Sequence, residues 1–285
     1  MRLKISHVTT YTYDSPDHYA LLQLRMTPRS GHGQRVLDWT TSITGGTKEL
    51  SFSDQYANNV DLLLVDRDAT TVEIRSEGTV EVEDRAGVIG PNNGLAPVWL
   101  FTAATPATAP GPQLRKLATQ ARRMEAENDL DRMHRLSAAI LDAVPWATGR
   151  TDASTTAEAA LDAGTGVCQD HAHIMIAVAR LLGYPARYVS GYLMMDGQVD
   201  QNASHAWCEI CLDPLGWVGF DISNGISPDD RYVRVALGLD YADAAPVHGH
   251  RMGSGVEAMK VHLQVARQPD QTQSQSGQAQ QQSST

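Results

Sequence analysis

The chain has 285 residues, enough for one large domain or two small ones with real cores. It carries 33 acidic against 23 basic residues, a net charge of -10, and such a surface repels nucleic acid and anionic membranes, so neither is expected as a partner. A hydrophobic fraction of 42% and a charged fraction of 20% are ordinary for a soluble globular protein, and no stretch nears the roughly 18 apolar residues of a membrane span.

The start, Met1-Arg2-Leu3-Lys4-Ile5-Ser6-His7-Val8, lacks the long apolar core of a signal peptide. A cytoplasmic protein is the expectation. The 3 cysteines, Cys168, Cys208 and Cys211, are odd in number and few, which argues against a disulfide framework.

Residues 1 to 105 read as β. Leu3 and Ile5, then Val72, Ile74, Val80 and Val82, alternate with polar residues, and Tyr11, Tyr13 and Leu62 to Val65 lie in similar short runs. Breaks at Ser15-Pro16, Pro28, Gly31, Gly45-Gly46 and Asn58-Asn59 divide them, the pattern of an antiparallel sandwich. Pro106, Pro110, Gly111 and Pro112 then mark a linker or covering loop over 102–112.

From there the period becomes helical. Leu114, Leu117, Ala118, Ala121 and Met124 share one face, as do Leu130, Met133, Leu136, Ile140, Leu141 and Val144. A third, shorter helix is expected from Thr155, with Glu158 completing a capping box, up to Gly164. A fourth should run from Cys168 to Leu182, where Gly183 and Pro185 stop it. Strands follow at 188–193, 205–212 and 217–220. The fold class is therefore α+β, an N-terminal antiparallel sandwich-like region (1–105) before an α/β core (106–267). The Gln/Ser-rich end, 268–285, has too few apolar residues to offset its ordering entropy and is expected to be a disordered tail.

The chemistry concentrates in the core. In Gly164-Thr165-Gly166-Val167-Cys168-Gln169-Asp170, two glycines free the backbone for a turn and place Cys168 in the first turn of a helix. Unpaired N–H groups and the positive end of the helix dipole stabilise a thiolate there and can hold an oxyanion. Ala172, Met175, Ala179 and Leu182 continue its face, so Cys168 points inward; a packed core cysteine is the bland alternative.

His205 opens a strand as a candidate base and acid. Asp221 closes the next strand, after the turn Asp213-Pro214-Leu215-Gly216, and can fix the histidine's tautomer. Alone, each of the two is more often structural.

Four stretches together carry a resemblance. Gly166-Val167-Cys168-Gln169-Asp170, Gly183 to Tyr192, Ser204-His205-Ala206-Trp207 and Gly216 to Asp221 resemble the core of bacterial transglutaminase-like proteins, most strongly over 155–225. The β-rich start also resembles the N-terminal region that accompanies this core. The resemblance implies a papain-like triad, with Cys168 as nucleophile, His205 as base and Asp221 as orienter. It says less about substrate. The chain departs from many relatives at Ile222-Ser223, where Pro-Thr is common, and at His171, where an aromatic residue is common; neither touches the triad.

Other signals weigh less. Cys208 and Cys211 have CxxC spacing, but on a strand residues three apart face opposite sides. His171 and His173, two apart on a helix, do not face each other. No metal or other cofactor is expected. The N–H of Cys168 is one oxyanion donor by position, and Trp146, Gln169 and Trp207 are further candidates for oxyanion or substrate binding.

The implied reaction is acyl transfer through a Cys168 thioester on a peptide, protein or small amide. Hydrolysis, as by a cysteine peptidase or amidase, is favoured because water needs no second binding site. A transamidase passing the acyl group to an amine is the alternative, and a non-catalytic peptide-binding module is the alternative of another class. The sequence leaves the oligomeric state open.

Overall fold

The computed structural model describes residues 1–15, 19–92, 94–252 and 256–268. All but the first residue of the expected tail lies outside them. Seven strands come first: β1 (Arg2–Tyr13), β2 (Tyr19–Thr27), β3 (Gln34–Thr44), β4 (Gly46–Ser53), β5 (Asn59–Val65), β6 (Thr71–Val82) and β7 (Val88–Gly90). Helices α1 (Pro112–Arg123), α2 (Asp129–Ala143), α3 (Ala157–Ala163) and α4 (Cys168–Leu182) follow. Next come β8 (Ala186–Leu193), β9 (Asp200–Gln201), β10 (His205–Leu212), β11 (Gly216–Phe220) and β12 (Tyr232–Gly238). A short helix, α5 (Tyr241–Ala244), leads to β13 (Val247–Met252) and β14 (Glu257–Arg267). Among the described residues no helix is long and apolar enough to cross a membrane.

The strands form three antiparallel sheets. A large sheet has the order β3-β6-β1-β14-β9, a small one β13-β2-β5-β4, and a core sheet β12-β8-β10-β11-β7. In β1 the residues Leu3, Ile5, His7, Thr9, Tyr11 and Tyr13 are all buried, one face of the strand at period two. That face serves two partners. Tyr11 and Tyr13 pack with Leu22, Leu24, Leu63 and Val65 of the small sheet, closing the expected sandwich. Leu3 and Ile5 pack with Tyr192 and Val233 of the core sheet. Where the two contacts meet, polar residues satisfy one another: His7 Nδ1 lies 3.0 Å from the Tyr192 hydroxyl, and Thr9 Oγ1 lies 3.2 Å from His7 Nε2.

The sheets do not follow the order of the chain. β14 pairs with β1 from Leu3↔Arg267 to Tyr13↔Glu257, and β13 pairs with β2. The stretch 247–267 thus completes the N-terminal sheets, while β7, from the N-terminal stretch, joins the core sheet beside β11. The physical reason is edge pairing. Without β14, β1 would present a row of open N–H and C=O groups over a buried face. Alternation of Met259, Val261, Leu263 and Val265 marks a strand in the sequence, but nothing local names its partner.

In the core, α4 lies against one face of the sheet. Its Ala172, Met175 and Ala179 pack with Tyr188, Cys208 and Ile210 and with Leu114, Met133 and Leu136 from the outer helices. One cap also differs from expectation. Thr156, not Thr155, caps α3, accepting from Ala159 N at 3.2 Å. Glu158 instead turns to α1, its two oxygens accepting from Gln113 N at 2.7 Å and Leu114 N at 3.0 Å. Pro112 occupies the first position of α1 and its N-cap is Gly111, which has no side-chain acceptor, so a carboxylate from a neighbouring helix fills that role.

This architecture assigns Leu263, fully buried, to the cluster between the large sheet and the core sheet. Leu263→Ala should destabilise the protein by about 2–5 kcal/mol, as should Ile5→Ala, whereas exposed Met259→Ala should change it by less than about 0.5 kcal/mol. Urea denaturation of the three variants checks this, and a negligible effect at Leu263 would remove β14 from the core.

Candidate active site

The loop entering α4 is fixed before the nucleophile is reached. Gly164 caps α3 with φ 64°, the left-handed region. At Gly166, any Cβ would come within 2.8 Å of the Asp170 Cβ. Asp170, almost fully buried, folds back over this turn: its Oδ2 accepts from Val167 N at 2.8 Å and from Thr151 Oγ1 at 2.7 Å. The first intrahelical bond runs from His171 N to Val167 O. The N–H groups of Cys168 and Gln169 therefore precede any carbonyl of their own helix. Cys168 sits at the helix start, half-buried.

Opposite it stands His205, at the beginning of β10 and 8% exposed. The His205 Nε2 lies 2.6 Å from Asp221 Oδ2, and Cys168 is near enough to act on the imidazole's charge. With Nε2 committed to the carboxylate, Nδ1 is the nitrogen left for the sulfur. The three residues named from the sequence are brought together, with His205 hydrogen-bonded to Asp221 and Cys168 beside the ring. Cys208 and Cys211 are not part of it. Cys208 packs beneath α4 and Cys211 against the cluster of Phe101 and Trp217, on opposite faces of the sheet.

The electrostatics follow from burial and pairing. Burial works against a charge on His205, but the hydrogen bond it donates to Asp221, then the neighbouring Cys168, outweigh it and push the imidazole up to about 10. Burial likewise favours a neutral Asp221, and the bond to His205 leads the interactions that overcome it and hold the carboxyl below its ordinary value. Asp221 is fully buried and its Oδ2 accepts two more bonds, from Asn224 Nδ2 at 2.7 Å and from the Tyr232 hydroxyl at 2.8 Å.

Those two partners are absent from the sequence reading. Asn224 had a local signal, since an Asp-x-x-Asn-Gly turn can bond the aspartate to its own backbone, and Asn224 N does lie 3.3 Å from Asp221 Oδ1. Tyr232 had none; β12 brings it in from across the core sheet. His171, where many relatives carry an aromatic residue, is buried with both nitrogens engaged, at 2.7 Å from Ser223 Oγ and 2.7 Å from Val144 O. Burial holds its imidazole below the ordinary value, hence neutral.

The secondary candidates separate. Trp146 forms a bridge to Gly166 and is 57% exposed, beside the nucleophile's loop. Gln169 is half-buried, with its amide donating to Ala153 O at 3.3 Å. Trp207 lies further inside, next to His205. It is buried in a cluster with Val189, Leu193 and Tyr232, its ring filling the space above Gly191, where a Cβ would come within 2.5 Å of it. Its ring centroid lies 6.1 Å from that of His205, as a wall behind the imidazole.

Comparison with known proteins agrees with this arrangement. Residues 117–222 match the family model of the transglutaminase-like superfamily, and residues 3–81 match that of the bacterial transglutaminase-like N-terminal region. An uncharacterized protein of Mycobacterium leprae is 28% identical over 283 residues, covering 93% of this chain and 99% of that one. An uncharacterized protein of Mycobacterium tuberculosis is 29% identical over 279 residues, 87% of each. A solved structure from Cytophaga hutchinsonii, described as a candidate cysteine protease, superposes with a TM-score of 0.73 at 22% identity, over 95% of this chain and 92% of that chain. That likeness is one of fold.

The charge on His205 can be tested directly. The unfolded imidazole has a pKa of about 6.5 and the folded one is raised to about 10. Its contribution to stability is therefore complete below pH ~6.5 and is lost as pH rises towards ~10. Nitrogen-edited NMR of the imidazole should show a cation at pH 7 and 8, and Cys168→Ala should lower the titration midpoint by removing one of its partners. A ring already neutral at pH 7 in the wild type would contradict the assignment.

Proposed function

The chain belongs to the transglutaminase-like superfamily, and from that premise we propose that it is a thiol-dependent acyl-transfer enzyme that hydrolyses peptide or amide bonds through Cys168. The observation that carries this is the buried His205–Asp221 hydrogen bond beside Cys168, with Nε2 of the histidine committed to the carboxylate. His205 stands beside the Cys168 sulfur at the N-terminus of α4.

In the proposed reaction, the Cys168 thiolate attacks the amide carbonyl carbon. The oxyanion that forms lies towards the N–H of Cys168. The imidazolium gives its Nδ1 proton to the leaving amine, the C–N bond breaks, and a thioester remains. The now neutral His205 takes a proton from water, whose oxygen attacks the thioester. Collapse releases the acid and restores the thiolate–imidazolium pair. Asp221 keeps its charge throughout and orients the ring. The exposed face of Trp146 offers the acyl side of the substrate a surface beside the nucleophile. Water is the favoured acceptor because it needs no second site; an amine acceptor would make the same thioester a transamidation intermediate.

Incubating the protein with a peptide and amide library, with and without a primary amine, separates the outcomes by mass. Hydrolysis adds 18 Da per cleavage, about the mass of water, to the summed products whether or not amine is present. Amide exchange only when amine is present would make the enzyme a transamidase, and no turnover would favour a binding module. At neutral pH Cys168 should also alkylate far faster than Cys208 or Cys211. Burial raises the Cys208 thiol well above its ordinary value, and burial followed by the charge of Asp213 raises that of Cys211. Asp221→Asn should cost turnover by roughly two to four orders of magnitude, because an amide N–H₂ placed at Oδ2 would face three donors. Unchanged turnover in that variant would remove Asp221 from the mechanism.

A further inference from the structure

A second concave site lies on the other side of the core sheet. Arg187 on β8 and Glu209 on β10 are cross-strand partners, with Ala186, Tyr188, Cys208 and Ile210 on either side of them facing α4. Since strand neighbours alternate in direction, Arg187 and Glu209 face away from the helix that carries Cys168. There Arg187 borders a cavity of about 300 Å³ whose lining also includes Arg29, His32, Tyr56, Asn58 and Arg234. That volume is at the lower end of small-molecule sites, roughly 300–1,000 Å³.

The charges in this cavity do not balance. Glu209, fully buried, uses both oxygens on two arginines: Oε2 accepts from Arg187 Nε at 2.6 Å and Oε1 from Arg234 Nη1 at 3.0 Å. One carboxylate against two guanidinia leaves one positive charge, and Arg29 at the exposed rim adds another. Among the described lining residues there is no Asp or Glu. Buried Arg187 is matched by Glu209, so the surplus lies on half-buried Arg234 and exposed Arg29 at the cavity mouth, where it can meet an incoming anion in a chain whose net charge is -10. Arg187 is also stacked over the Trp217 ring, 4.0 Å from guanidinium carbon to centroid, so its position is fixed. The rim is fixed too: Arg29 Nη1 donates to Ala57 O, and His32 Nδ1 meets Ile89 O at 3.2 Å.

We propose that this cavity, between the N-terminal sheets and the core sheet, is a binding site for a small dianionic oxyanion, held by the guanidinium groups of Arg29, Arg187 and Arg234. Planar guanidinium forks pair in bidentate fashion with phosphate and carboxylate oxygens, and two net positive charges match a phosphate group or a dicarboxylate. The ligand would join residues 29–32 of the N-terminal region to β8 and β12 of the core, and so stabilise the joint that the two regions share. Nothing in the proposed acyl transfer uses these residues.

Isothermal titration calorimetry of the full chain with inorganic phosphate, with succinate and with chloride, at constant ionic strength, tests the assignment and separates the two anion sources. One-to-one saturable binding of phosphate or succinate, and none of chloride, is expected. Arg29→Gln, at an exposed position that folding does not depend on, should weaken binding at least tenfold. Arg234→Lys, which keeps a cation over Glu209 but loses the fork, should weaken it as well. Cys168→Ala should bind as the wild type does, placing the ligand away from the thiol. Absence of saturable binding by both dianions overturns the proposal. So does affinity unchanged in Arg29→Gln, which decides alone if Arg234→Lys fails to fold, and so does loss of binding in Cys168→Ala.

Discussion

The 2.6 Å hydrogen bond between His205 Nε2 and Asp221 Oδ2 is the interaction on which the site depends. It selects which imidazole nitrogen faces Cys168, and it keeps the ring charged in surroundings that would otherwise neutralise it. Burial cuts both ways here. It disfavours isolated charges, yet in the absence of water it strengthens the attraction between paired ones. The pair survives because Asp221 is supported in turn by Asn224 and Tyr232. These are positioning residues, since they act on the carboxylate and not on the sulfur.

Much of the remaining fold can be understood as holding that pair. β10 and β11 carry the histidine and lead to the aspartate, and β8 lies between β10 and β12 in the core sheet. β12 supplies Tyr232. Behind β8 and β12, Leu3 and Ile5 of the large sheet pack on Tyr192 and Val233. The N-terminal β region thus backs the strand whose tyrosine touches Asp221, and β14 seals the edge of the strand that does the backing. This gives the N-terminal region a mechanical relation to the site although it contributes none of the triad. Packed interiors transmit small displacements because they have few voids to absorb them.

The division between what the sequence disclosed and what it concealed has a physical origin. The α4 boundaries were legible because a glycine stop, a helical apolar face and the turn glycines are all local signals. Cys168, His205 and Asp221 were legible because their flanking motifs resemble those of a known superfamily. The partners of β13 and β14 were not, since a strand's alternation fixes its faces but not its neighbour. Tyr232 was hidden for the same reason: it reaches Asp221 across a sheet, through register that no local pattern encodes. Glu158 was misread because a carboxylate three residues after a threonine fits a capping box in sequence, while in space the uncapped start of α1 lies closer to it. Trp207, two residues after His205 on β10, shares its face of the strand and packs beside it against Tyr232.

The central claim is that Cys168 forms a covalent acyl intermediate with help from His205. The most direct measurement is peptide mapping by mass spectrometry after rapid acid quench of the protein mixed with a peptide p-nitrophenyl ester. The account predicts one acyl group per chain, on the peptide containing Cys168, released on further incubation by the wild type and persisting in His205→Ala, which lacks the base for deacylation. An acyl group found on Cys211, or none on Cys168 while ester is consumed, would contradict it.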